Sequence, residues 1–191
     1  MSRIASTPAR TRVLAVGAAL LIAAGATGAA SAAGNGADNG KPREAAALTG
    51  TAKLYRPAGD DITFTFDAHL AAKDNMDPEA ATGTFSFKHV FPNGQSGWAK
   101  AKVDCLVTGG KVAVVTGIVT DSDTPFKGKR VGVTVHDQGK HDTLGYSWVG
   151  RNVEQQQLPK CVSSAPFEKV KEGTGDFKVL PWHPVYEQPK S

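Results

Sequence analysis

Four side chains packed into seven positions, His136, Asp137, His141 and Asp142, carry the most obvious chemistry in this chain. They lie in the stretch VTVHDQGKHDTLGYSW, residues 133–148. Imidazole and carboxylate are suitable donors to zinc and other divalent ions. The two histidines, however, stand five apart across Gly139, whereas a helical zinc site sets its pair at i and i+4. A closed site would need further ligands from elsewhere. Read as a loop, the same residues make ordinary sense: Gly139 supplies a turn, and Asp137 bonds to nearby backbone amides. The expectation is a hairpin loop that holds no metal.

Other candidate chemistry is thinner. Asp121 and Asp123, and the group Asp74, Asn75, Asp77 and Glu79, offer oxygens for calcium. Neither run has the twelve-residue loop with a central glycine and a terminal glutamate. GQSG at 94–97 falls short of a nucleophile elbow, and no strand-turn-helix pattern surrounds Ser96. No pair of carboxylates is marked for glycoside cleavage. The reading assigns no catalytic residue and no cofactor.

The first 32 residues read as an export signal. Arg3, Arg10 and Arg12 precede an apolar run from Val13 to Ala24, and Ala30-Ser31-Ala32 has the small-x-small form of a cleavage site. Cleavage near Ala32 would send the chain to the extracellular side. Losing these three arginines takes the formal net charge from +4 to +1. A nearly neutral mature chain has no bulk electrostatic reason to hold nucleic acid. No later run reaches the ~18 apolar residues of a membrane-spanning helix. In an oxidising compartment the two cysteines, Cys105 and Cys161, are expected to pair.

These residues must be positioned by strands. Residues 33–50 are rich in Gly, Asn and Ala, and read as a flexible linker. Beyond it, DITFTFDAHL alternates Ile62, Phe64, Phe66, Ala68 and Leu70 against polar residues, the mark of a strand with one wet face. TFSFKHVF sets Phe85, Phe87, His89 and Phe91 on one side. WAKAKVDCLVTGGKVAVVTGIV is a hairpin in which Gly109-Gly110 suits a two-residue primed turn. That turn would place Thr108 opposite Lys111 and Cys105 opposite Val114, with Cys105 facing the core. Val131, Val133 and Val135, then Leu144, Tyr146 and Trp148, mark two more strands. Asn152 has the position of a helix cap before VEQQQ, DFKVL reads as a last strand, and 181–191 reads as a proline-rich tail. About seven strands at short spacing, with no long amphipathic helix, predict an all-β domain over 51–180. The architecture expected is an antiparallel β-sandwich, with a small β-barrel as the alternative.

The span from ITFTFDAHL to DTLGYSW, marked by VDCLVTGGKVAVVTG and VHDQGKHDTLGYSW, resembles small secreted actinobacterial proteins called "repetin". It is similar also to a wider group of secreted β-domains with a V-x-C-L-x-V-x-G hairpin, where this chain has Thr108 at the second valine. The resemblance covers residues 62–148 and implies an exported β-fold. It implies no activity and carries over no site residue.

The sequence therefore predicts an exported, monomeric, non-enzymatic β-domain with a binding or structural role at the cell envelope or in the medium. Its partner would be an extracellular protein or a polysaccharide, met first by the 136–142 loop and its neighbours 121–128 and 92–97. The alternative is a secreted metal-dependent hydrolase built on the 136–142 loop.

Overall fold

The computed structural model describes residues 43–147, 158–163 and 166–186. The export signal expected at 1–32, the strand position expected for Trp148 and the helix cap expected at Asn152 all fall outside the described residues. Nine strands form one antiparallel sheet: β1 (Glu44–Lys53), β2 (Asp61–Ala71), β3 (Thr82–Val90), β4 (Ser96–Gly109), β5 (Val112–Ser122), β6 (Arg130–His136), β7 (Thr143–Tyr146), β8 (Glu168–Lys169) and β9 (Asp176–Leu180). Strands β1 to β7 run as a meander, each beside the next, with β8 beyond β7 and β9 beyond β1. The all-β antiparallel expectation is met. Because the strands make one curled sheet, the barrel-like alternative describes the molecule better than two stacked layers do.

The sheet curls until one stretch of chain joins its two ends. Residues 168–180 supply both β8 and β9, and an isolated bridge pairs Leu54 with Val170. The Tyr55 amide donates to the Lys169 carbonyl at 2.8 Å, and the Val170 amide donates to the Asp142 carbonyl at 2.9 Å. The same short run therefore touches the β1 side and the β7 side.

Period-two patterning fills the inside. The face predicted for β2 is buried throughout, from Ile62 to Leu70, and meets Phe85, Ala99, Ala101, Val103, Leu106, Val115, Val131, Val133, Val135 and Leu144 in one core. Phe66 stands edge-on to Phe177 of β9 at 5.2 Å between ring centroids, and Phe64 lies 5.5 Å from Tyr146. Rings of such size packed across the interior are the main apolar mass of the fold.

Three expectations need correction. The linker at 33–50 is too long, since β1 begins at Glu44. Ala45, Ala46, Ala47 and Leu48 are all buried there, and a run of alanines hides its periodicity because small residues fit a crowded wall on either face. The hairpin turn is Gly110-Lys111, with Gly110 at φ +57°, so Thr108 pairs with Ala113 and Val107 with Val114. This register sends Leu106 and Thr108 inward. A bulge between Val103 and Cys105 restores Val103, Ala101 and Ala99 to the same inner face. Both faces of this hairpin are apolar, so hydrophobic pattern cannot choose between the two registers.

The same bulge puts Cys105 on the outer face, beside Thr116. It is buried there because residues 158–163 lie over it as a strap, joined by the Cys105–Cys161 disulfide. The expected pairing of the cysteines holds. The Cys161 amide donates to Thr116 Oγ1 at 3.2 Å, and Thr134 Oγ1 donates to the Ser163 carbonyl at 3.2 Å. A side chain at Gly132 would strike Leu158 and the Val162 carbonyl at under 3 Å, so this strand must carry glycine for the strap to lie flat.

Candidate functional site

The quoted loop does not assemble a metal site. His136 ends β6, paired to Val112 on one side and Thr143 on the other. His141 projects into solvent with its Nδ1 3.3 Å from Glu172. Among the described residues, no three His, Cys, Asp or Glu side chains gather as ligands for a metal ion.

The two aspartates turn back into the protein instead. Asp142 is 1 % exposed and Asp137 7 %. Asp142 accepts from the Gln138 amide at 2.7 Å and from the Phe177 amide at 2.8 Å. Asp137 accepts from the Gly139 amide at 3.3 Å, the Val179 amide at 3.1 Å and Lys111 Nζ at 3.1 Å. Phe177 and Val179 belong to β9, whose other edge is occupied by β1. Two carboxylates thus stand where a neighbouring strand would offer carbonyl oxygens. Thr108 completes the row by donating to the Leu180 carbonyl and accepting from the Trp182 amide. A buried amide left bare would cost about 1–3 kcal/mol, so these side chains seal the seam of the barrel. The loop prediction that Asp137 bonds to local amides holds for Gly139; the bonds reaching β9 could not be read from sequence.

The two carboxyls are tuned in opposite directions. Burial pushes Asp137 up, but the Val179 and Gly139 amides and Lys111 outweigh it and hold the group below the usual range. Burial likewise pushes Asp142 up. There the Phe177 and Gln138 amides pull down, while Asp176 lies within hydrogen-bonding reach and adds a like charge, so Asp142 ends above the usual range.

A second cluster closes the other end of the core. Arg56, in the β1–β2 turn, bonds the Asp60 carboxylate with Nε at 3.3 and 3.2 Å and reaches Glu168 with Nη1. Asp60 also meets His89 Nε2 at 2.7 Å, and the Tyr146 hydroxyl bonds Glu168. Partial burial pushes Asp60 up, yet Arg56 and His89 together hold it below the usual carboxylate range. An ionised Asp60 can only accept, which fixes the proton of His89 on Nε2. Tyr146 is pushed up to about 12 by burial and by the charge of Glu168. Beside this network lies a cleft of about 210 Å³ lined by Lys53, Tyr55, Arg56, Asp60 and Lys171, among others.

Sequence reasoning missed this network. Arg56 and Asp60 bracket the turn RPAGD at i and i+4, which was a usable signal for their pairing. Nothing local links them to Glu168 or Tyr146. The weaker calcium candidates resolve into turn chemistry: the Asp77 side chain accepts from the Glu79 amide and that of Asp123 from the Trp98 amide. Trp182, placed by sequence in a tail, packs against the core and donates Nε1–H to the Asn75 carbonyl at 2.7 Å.

With this geometry in hand, no protein-family model, no curated protein and no solved structure matches the chain.

Proposed function

We propose that this chain is an exported, repetin-like β-domain that acts without catalysis, binding a partner or serving a structural role at the cell envelope or in the medium. The observation that carries this reading is the commitment of both charged clusters to the fold itself. Asp137 and Asp142 hold β9 in place, and the Arg56 network satisfies its own members. Neither leaves an activated nucleophile or an open ligand set for a substrate.

The secreted setting is supported by the disulfide and by the lack, among the described residues, of any helix long and apolar enough to cross a membrane. For a partner, the outer wall beside β8 is the better surface than the 136–142 loop, whose carboxylates are engaged. Tyr55 is 57 % exposed and Phe167 53 %, and Tyr55 stands next to Lys169, two residues from Phe167. Rigid aromatic rings with a flanking cation suit an extracellular protein or a polysaccharide.

The test starts with the mature protein purified without chelator. Mass spectrometry is expected to show a chain beginning near Ala33, and elemental analysis no stoichiometric metal. A metal bound by wild type and lost in His136→Ala/His141→Ala would replace this reading with the hydrolase alternative. Retention on envelope polysaccharide or on medium proteins should weaken in Tyr55→Ala/Phe167→Ala. Equal retention by that variant would move the binding surface elsewhere.

A further inference from the structure

Among the described residues, one buried side-chain oxygen is left without a hydrogen bond, and it lies in the seam. Asp176 is the first residue of β9; Lys178 pairs with its Oδ2, while its Oδ1 is buried and accepts no hydrogen bond. Asp142 lies against it, already accepting from the Gln138 and Phe177 amides. A carboxylate cannot donate, so two ionised groups in this position leave the buried oxygen bare and repel each other. A single proton on Asp142 removes both faults: it reaches Asp176 and leaves lone pairs for the two amides.

We propose that Asp142 and Asp176 share one proton, and that this makes the seam a pH-dependent clasp, closed most firmly in mildly acid surroundings and loosened when both groups ionise. The repulsion acts directly on β9, because Asp176 precedes the very residue whose amide Asp142 holds. Burial and the neighbouring charge both favour the protonated form of Asp142.

The charged groups around the pair do not cancel this effect. On β9, Lys178 faces solvent and serves Asp176 Oδ2. On the loop, Asp137 is matched by Lys111 of the β4–β5 turn. On the turn before β9, Glu172 is paired with the exposed His141. Lys178 also feels the charge of Asp142, and Lys140 lines the same cleft, yet among the described residues Asp142 itself makes no ion pair, so ionising both carboxyls still sets two like charges against each other. The sign follows from linkage: a carboxyl whose folded pKa is raised lends stability below its unfolded value and loses it as pH rises through the folded one. Asp137, displaced downwards, keeps its hold on Val179 throughout that range.

Amide exchange followed residue by residue provides the test. As pH rises from the ordinary aspartate range to about pH 8, after correction for intrinsic rates, protection at Phe177 should fall, by about tenfold for each pKa unit by which folding raises Asp142. Val179 should change little. In Asp176→Asn the new amide donates to Asp142 in place of the shared proton, so Phe177 should become insensitive to pH and the Asp142 carboxyl should titrate lower by ¹³C NMR. Asp142→Asn removes the titrating carboxyl, giving up one of its two acceptor oxygens; it should flatten the profile as well and serves if the first variant folds poorly. A flat Phe177 profile in wild type, or an unchanged slope in a folded variant, would overturn the clasp.

Discussion

His69 sits between two carboxylates, with Nδ1 2.6 Å from Glu44 and Nε2 2.8 Å from Asp67. Each contact needs a proton on the ring, so the arrangement favours the imidazolium. The bond to Asp67 raises the pKa most, burial opposes it, and Glu44 raises it further. The clamp's contribution is complete below the unfolded pKa and is lost as pH rises through the raised folded value. A proton-carbon NMR titration should find His69 changing charge above 6.5, and His69→Gln should remove that part of the stability decline; a midpoint at or below 6.5 would refute the clamp. At the other end of the core, absorbance titration should find one tyrosine ionising at about 12, and Glu168→Gln should lower it. Arg56→Gln leaves Asp60 and Glu168 short of their shared partner and should cost roughly 2 kcal/mol by chemical denaturation. At this scale the sequence was only partly readable. The aspartates of the 136–142 loop were singled out by type, but their partners Phe177 and Val179 lie about forty residues away in β9, and periodicity carries no information about such contacts.

Elements follow their own patterns where one face is wet and lose definition where both are covered. Strand β2 reads directly from its alternation, because Thr63, Thr65 and Asp67 face outward opposite a buried aromatic row. The β4–β5 hairpin reads ambiguously, because Cys105 and Thr116 are buried on the outside by the strap while Leu106 and Val115 are buried within. The strap itself has almost no regular structure to betray it. Its staple closes a sequence separation of 56 residues, for which chain entropy gives roughly 4 kcal/mol. Cys105→Ser/Cys161→Ser is expected to lose about that much, and limited proteolysis should then cut first within 158–163. Stability unchanged by reduction would remove the strap from the account. Gly132→Ala should do comparable local damage with the disulfide intact, detectable as faster exchange at the Cys161 amide.

For the whole molecule, the all-β class and much of the core were legible, while strand order and closure were not. The interior rows of β2, β3, β6 and β7 each announce themselves by alternation. What turns the row of strands into a barrel is the short run 168–180, whose bonds to β1 and to the 137–142 loop exist only in three dimensions. Phe66 and Phe177 meet over Gly50 of β1, to which both are paired, and truncating either to alanine should cost roughly 4 kcal/mol. Their double-mutant cycle should return about 1 kcal/mol of coupling, beyond what separate cavities predict; additive losses would show that the rings do not help to seat β9 beside β1. The placement of β9 also sets an order of events. Ala47 pairs with Leu180, so the first strand of the domain is not flanked on both sides until its last strand has been made. As it folds, the chain can zip its hairpins one after another, each over a short loop, yet the finished meander still has an open margin along β1. Final consolidation waits for the C-terminal segment, so a chain cut short just before Phe177 would hold a nearly complete sheet with an exposed edge ready to pair with a neighbour.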